Sequence, residues 1–522
     1  LERRRLRDAV IVLTIRYPLS TTNHLSWLVG ELRALAGELS EDGASPPLLV
    51  AIDQGGHATR ALAFDTRGRR IAEAYVPIST FRSGTDRVEH DALELGESVR
   101  TVLADLSQML GDDARRVTAA GLATQRSSIA CWDRRAAKPF ARVLSWQDRR
   151  NAAFVAKLAE QEQTIRETTG LVLSPHYGAS KLRWYAEHVE GVRSPSPKQR
   201  PAFGPLAAWL LHAILEEHPH CVDATNAART QLLDIRACDW SDEMLALFGV
   251  RRELLPTVVP NRYEYGNVLF DDRLVPLVVC TGDQSAMPFA HGAPDAATIY
   301  LNVGTGAFVQ RISDRAAPTG LLSSVLWHDG ERGTLRAIEG TVNGAGSAID
   351  WLNERVDIDA GAGSRAWAHR EALAMNRAKL ARAMPPIFLN GIAGVGSPYW
   401  RAQFESRFIG DGNDIERLMA VIESIAFLIC ENVAHVREGA TRILASGGLA
   451  DSDYLCECVA TLSGLPVERT SLMESTATGL AYLIAREPAD WQPEAQIERF
   501  DPEPQPELRA RYERWRKEMG SA

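Results

Sequence analysis

Little in this 522-residue sequence marks it for a special environment. Its seven Cys are spread too thinly for a disulfide framework. The nearest pair, Cys456 and Cys458, lacks the second pair or neighbouring His that would complete a zinc site. The thiols are therefore read as reduced, as in a cytoplasmic protein. No uninterrupted apolar run approaches the ~18–20 residues expected of a membrane span. The apolar stretch Ala9–Ile15 follows basic residues, but Arg16 and Pro18 cut it too short for a signal peptide. Positive charge is not in excess. With 58 Lys and Arg against 67 Asp and Glu, the net charge of −9 argues against nucleic acid as the main partner. Gly (39) and Pro (26) stay at ordinary levels, which excludes collagen-like and low-complexity chains. Common active-site signatures are missing too. There is no G-x-x-x-x-G-K-[ST], G-x-S-x-G or H-E-x-x-H, and the glycines at Gly344–Gly346 and Gly394–Gly396 do not complete G-x-G-x-x-G.

What is present is a hydrophobic content of 45%, in a chain longer than the ~250–300 residues at which one core stops growing. Two or more domains are expected. Residues 1–47 read as a disordered N-terminal extension outside the folded unit, ending at the turn-rich Glu41–Pro47. Pro46–Asp53 reads as a buried strand, and a Gly turn leads to a second strand at Ala61–Phe64. Thr298–Val309 has the same strand–Gly–strand layout. Further strands are expected at Thr118–Leu122, Leu274–Cys280, Leu335–Glu339 and Thr441–Ala445. Helical patterns cover Ala92–Leu110, Arg149–Gln163, Ala345–Arg355, Ile415–Arg437, Asp453–Ser463 and Glu507–Lys517. This is a mixed α/β chain of two similar halves, 48–290 and 291–522, with the boundary near 285–295.

Five segments carry chemistry, and each has an ordinary alternative. In AIDQGGHATRALAFD (51–65), Asp53 ends a strand and Gly55-Gly56 lets backbone N–H groups approach a phosphate while Asp53 faces a metal. A plain tight hairpin also fits. Asn302–Gly306 repeats that chemistry with the hydroxyl of Thr305. Ser446-Gly447-Gly448 could lie flat against a purine. In Gly282-Asp283-Gln284 a carboxylate at the end of an apolar strand could act as general base, or simply cap a helix. GLATQRSSIACWD (121–133) with Ser145–Arg150 combines arginines, glutamines and Trp146. Such groups bind hydroxyls and cover the C–H face of a sugar, but surface ion pairs around a core tryptophan give the same pattern.

Taken together and in order, these segments resemble the FGGY carbohydrate kinases, and among them the glycerol kinases. VEHDALEL (88–95), DATNAARTQLLDI (223–235), Asp239-Trp240, Leu254–Pro256, EGTVNGAGSAIDWL (339–352), GSPYW (396–400) and ASGGLADSDYL (445–455) extend the resemblance from about Leu48 to Trp515. It implies an actin-like, ribonuclease-H-like ATPase fold with a cleft between two domains, and transfer of phosphate from ATP to a hydroxyl of a small polyol or keto sugar. It also implies Asp283 as the catalytic base and Asp53 as the residue organising Mg2+. The acceptor would meet Arg126, Ser127, Trp146, His176, Asp283, Gln284 and Phe308. The nucleotide would meet Gly55, Gly56, His57, Thr59, Arg60, Gly304, Thr305, Gly346, Asp350, Gly448 and Ser452. A cytoplasmic homodimer or homotetramer is expected.

The departures from the family pattern fall in the same places. Hydroxyls are lost at Gly56, His57 and Ala58, although His57 can still donate to a phosphate. Ser127 replaces a glutamate beside the arginine, and His176 the tyrosine of a D-P-Y segment. Asp350 replaces an adenine-side glutamine, and Arg401 an aspartate after P-Y-W. The loop at Asp271–Arg273 is short, so no sugar-bisphosphate regulation is expected. The rival reading is a non-catalytic descendant that binds sugar or nucleotide without turnover.

Overall fold

The structure is a computed structural model that describes residues 46–330, 333–355, 385–401, 403–493 and 495–521. The expected extension, 1–47, lies outside them but for its last two residues. Two sheets organise the rest. The first holds β1 (Leu48–Gln54), β2 (Ala58–Asp65), β3 (Arg70–Pro77), β4 (Val117–Thr124), β5 (Arg262–Phe270) and β6 (Arg273–Gly282), in the order β5-β6-β4-β1-β2-β3. The second holds β7 (Thr298–Val303), β8 (Ala307–Ile312), β9 (Leu322–Asp329), β10 (Gly333–Val342), β11 (Arg442–Ser446), β12 (Val467–Thr470) and β13 (Ile497–Phe500), in the order β9-β10-β8-β7-β11-β12-β13. Five strands of each share one plan. An antiparallel hairpin, β1–β2 or β7–β8, gains a third antiparallel strand on one side. On the other side it gains two parallel strands. The strand–Gly–strand repeat is therefore a repeat of topology.

Burial explains the strands. β1 (LLVAIDQ) is buried along its whole length, as a central strand covered on both faces must be. One face is covered by α1 (Ala92–Leu110), capped by Asp91, whose carboxylate accepts the N–H of Leu93 at 2.8 Å. Its buried stripe is Leu95, Val99, Val102, Leu103 and Leu106. The expected helix at Arg149–Gln163 is instead broken into Ala152–Ala156, a 3-10 turn and Glu162–Thr169. Only Val155 and Ile165 are buried among its apolar residues, too little to hold one continuous helix. A smaller sheet, built on Arg87–His90, Ile129–Asp133, Val143–Leu144 and Pro201–Pro205, carries the segment leading to Trp146.

α2 (Asp283–Ala286) follows β6 at the end of the first half; in the second half α3 (Gly346–Asn353) follows β10, and α4 (Asp414–Val436) crosses the second core. By length and composition α4 could cross a membrane, which corrects the expectation that no segment comes near that limit. The apolar window is 89% buried inside the protein. α5 (Asp453–Ser463), α6 (Ser475–Ile484) and α7 (Pro506–Ser521) complete the chain. α6 returns to the first sheet, where Ala477, Leu480 and Ile484 share a core with Leu49, Ala51 and Phe64.

Candidate active site

The site begins where β1 runs out. A turn at 55–57 brings Arg60 back opposite Asp53. Strand alternation then sends Thr59 and Arg60 to opposite faces. Thr59 is fully buried and its hydroxyl pairs with Ser98 Oγ of α1 at 2.7 Å. Its expected phosphate contact is therefore corrected: the hydroxyl is taken up in packing. Arg60 Nε instead reaches Glu474 Oε1, at the start of α6, at 3.3 Å. His57 is exposed at the turn, and a Cβ at Gly56 would sit 3.6 Å from Trp146 Nε1. Gly55 donates its N–H to the Ala58 carbonyl.

Asp53 is 7% exposed, and its Oδ1 has no hydrogen-bond partner. Burial, then the carboxylates of Asp283 and Glu474, push its pKa up to about 7 against the pull of Arg60. An orphaned buried oxygen among carboxylates fits a hard divalent cation, which would relieve both penalties. The adjoining cavity, about 180 Å³, is lined by Asp53, Arg60, Asn302, Gly447, Glu474 and Thr476 among others.

Asp283 opens α2 at the end of β6. It is not the helix cap: that position is Gly282, and Asp283 Oδ1 accepts the N–H of Gln284 at 2.6 Å. Arg126 Nε lies 3.6 Å from the same oxygen. Burial raises the Asp283 pKa, while Arg126, the Gln284 N–H and Arg229 restrain the rise. A Cβ at position 282 would stand 2.7 Å from Arg126 Cδ, so glycine is what lets the guanidinium reach. Gln284 Oε1 accepts from Asn302 Nδ2 at 3.1 Å, linking α2 to β7.

Arg126 is fixed from the second sheet. Its two terminal nitrogens meet Glu339 of β10 at 3.0 and 3.2 Å, and Arg229 meets the same carboxylate at 3.1 Å. Gln310 of β8 donates to it at 2.9 Å. Although burial works the other way, these partners hold the Glu339 pKa down to about 2. Phe308 of β8 lies under the Arg126 guanidinium, 5.8 Å from ring centroid to carbon. Trp146 and His176 meet edge to face at 5.2 Å. Ser127 has a left-handed backbone, φ 66°, and its Oγ donates to the Arg229 carbonyl at 3.3 Å. The buried Lys181 Nζ donates to the carbonyls of Ser127 (3.1 Å) and His176 (2.7 Å). The seven residues expected around an acceptor thus fall around one place.

The second hairpin turn holds Gly304 and the exposed Thr305 beside α3. Gly346 donates its N–H to the Gly304 carbonyl at 2.9 Å, and Ser347 its N–H to Thr305 at 3.1 Å. Asp350 is half-buried on α3, and Gly448 is exposed after β11. Gly447 has φ 92°, and a Cβ there would stand 2.5 Å from Asn302 Oδ1. Ser452 is a second correction. It is fully buried as the cap of α5, with its Oγ accepting from Leu455 N at 3.2 Å, so its side chain does not line a nucleotide. Four site residues escaped the sequence reading: Glu339, Arg229, Lys181 and Glu474. The one available signal was a charged residue within an otherwise apolar strand, as in Ala337-Ile338-Glu339-Gly340.

Comparison with known proteins gives the same picture. The N-terminal domain of the FGGY family of carbohydrate kinases matches residues 48–296, and the C-terminal domain matches 299–487. The glycerol kinase of Azotobacter vinelandii is 31% identical over 479 residues, covering 87% of this chain and 93% of that protein. The glycerol kinase of Rhodospirillum rubrum is 32% identical over 452 residues, covering 84% and 89%. Among solved structures, Plasmodium falciparum glycerol kinase with ADP shares the fold with a TM-score of 0.79 at 20% identity, covering 92% of this chain and 99% of that one. Xylulose kinase from Rhodospirillum rubrum gives 0.76 at 19%, covering 91% and 98%.

Proposed function

The chain belongs to the FGGY family of carbohydrate kinases, and from that premise we propose that Asp283 is the base with which it phosphorylates a small polyol or keto sugar. The activity of the family is ATP-dependent transfer of phosphate to an alcohol. The observation that carries the assignment is Asp283 at the end of β6 with Arg126 Nε 3.6 Å from its Oδ1, together with the unpartnered Asp53 Oδ1 on β1.

In this reading Arg126, Trp146, His176, Gln284 and Phe308 orient the acceptor. Asp283 Oδ1 is engaged by Gln284, so Oδ2 takes the proton as the acceptor oxygen bonds to the γ-phosphorus and ADP departs. The Asp283 pKa, raised by burial but restrained by Arg126, suits a carboxylate that must be ionised before transfer and protonated after it. The phosphates would lie between the two hairpin turns, against Gly55, Gly56, His57, Arg60, Gly304 and Thr305, with Gly346, Asp350 and Gly448 on the nucleoside side. Asp53 would hold Mg2+, which when bound supplies positive charge against the phosphates.

We place the division between the two domains at 290/291. The protein is read as a cytoplasmic homodimer or homotetramer whose partners are its small substrates rather than nucleic acid or membrane. The seven cysteines, all buried and unpaired, support a reducing compartment. A coupled ADP-release assay over polyols, ketoses and sugar acids tests the function. Turnover with any acceptor establishes the kinase. Nucleotide binding without turnover on the whole panel would instead support the non-catalytic descendant.

A further inference from the structure

The acceptor site carries more positive charge than its carboxylates balance. Four cations act on the His176 ring: Lys181, Arg229, Arg149 and Arg126. The carboxylates at the site are Glu339, already shared by Arg126, Arg229 and Gln310, Asp283, at the reacting end, and Asp148, already paired with Arg150. Lys181 is 1% exposed and bonds only two carbonyls, with no carboxylate in ion-pair range among the described residues; burial draws its pKa down to about 7 against the pull of the more distant Asp148, so it carries its full charge only when an anion joins it. Arg149 donates to the Ala393 carbonyl. Arg229 Nε is buried with no partner. Buried charges in proteins are ordinarily paired, so a surplus of this kind favours an anion.

We infer that the acceptor carries a carboxylate: a sugar acid of about four or five carbons, its acid group held on the Ser127–His176 side and its reacting hydroxyl at Asp283. The inference rests on the kinase reading for the second half of that statement only. Ser127 is central: its Oγ donates to the Arg229 carbonyl, and its own carbonyl accepts from the Lys181 ammonium. His176 fits the same role as a neutral ring, its pKa drawn well below the usual imidazole value by burial and by the surrounding cations. It can donate one hydrogen bond without requiring a counter-ion.

The test compares matched acceptors that differ only in the acid group: erythronate against erythritol, and ribonate against ribitol. We expect kcat/KM in ADP release to be at least tenfold higher for each acid. Ser127→Glu places a like charge beside the acid and should lower the ratio of acid to polyol kcat/KM tenfold or more. Calorimetric binding of erythronate and erythritol to the wild-type protein with ADP separates the two claims. Polyol turnover with weaker acid binding overturns the inference and leaves the kinase standing. Acid binding without turnover of any acceptor overturns the kinase and leaves the inference standing. If the acids and polyols perform equally, or bind equally poorly, the inference is overturned.

Discussion

Replacing Asp53 by Asn should make the protein more stable and inactive, and the gain in stability is the sharper test. The folded state holds the Asp53 proton up to about pH 7, whereas an unfolded carboxyl releases it near 3.8. Between those values the folded state binds more protons, so its stability falls as pH rises through the window and stays level above it. The full penalty is about 4 kcal/mol, taking ~1.36 kcal/mol for each tenfold step in acidity. Asn has no charge to lose. For a chain of this size the unfolding entropy is about 1 kcal/mol per kelvin, so the variant should melt about 4 K higher at pH 8. At pH 4 the gain should be about 1 K or less. Scanning calorimetry in EDTA at pH 4, 6 and 8 reads this directly. Added Mg2+ should then stabilise the wild type at pH 8 but not the variant. If the variant melts at or below the wild type at pH 8, or the difference is the same at all three values, the account of Asp53 as a strained, metal-ready carboxyl is wrong.

Asp283→Asn should lower kcat by about 10²–10⁴ while acceptor binding and melting change little; near-native kcat would remove it as the base. Glu339→Gln strips the shared carboxylate from Arg126 and Arg229, and should cost about 3–5 kcal/mol of stability and raise the acceptor KM. Unchanged melting and KM would show that the guanidiniums find other partners. Gly479→Ala would put a Cβ 2.0 Å from the Ala286 carbonyl, forcing α6 away from the segment that follows Asp283. Both melting temperature and kcat should fall, by about 1–3 kcal/mol in stability. Ser127→Glu with His176→Tyr, which restores the family's residues, should improve kcat/KM for glycerol relative to four- and five-carbon acceptors. A wild-type preference for glycerol would contradict that expectation.

Much of the layout was legible before any coordinates. α1 spans Ala92–Leu110 as expected, because its apolar residues recur at helical spacing and Asp91 precedes them. α5 spans Asp453–Ser463 for the same reasons. The hairpins at Asp53 and Asn302 could be found because a strand that stops at glycine has a strong local signature. The broken helix after Arg149 was not legible. Its letters favour a helix locally, but only Val155 and Ile165 of its apolar residues become fully buried, too few to hold it continuous.

By itself, then, the sequence determined the family, the order of the strands and helices, and the segments that carry the chemistry. Those depend on local patterns and on a register of motifs along the chain. Tertiary structure decided which side chains are available within those segments. Thr59 and Ser452 sit in the right segments yet give their hydroxyls to Ser98 and to the N-terminus of α5. Glu339 and Glu474 lie far along the chain from Arg126 and Arg60, as Arg229 and Lys181 do from Ser127, and they become site residues only in the packed fold. The physical reason is that direction and burial belong to the packed chain. A strand's alternation says that neighbours point opposite ways, but only the folded partner says which way faces the cleft.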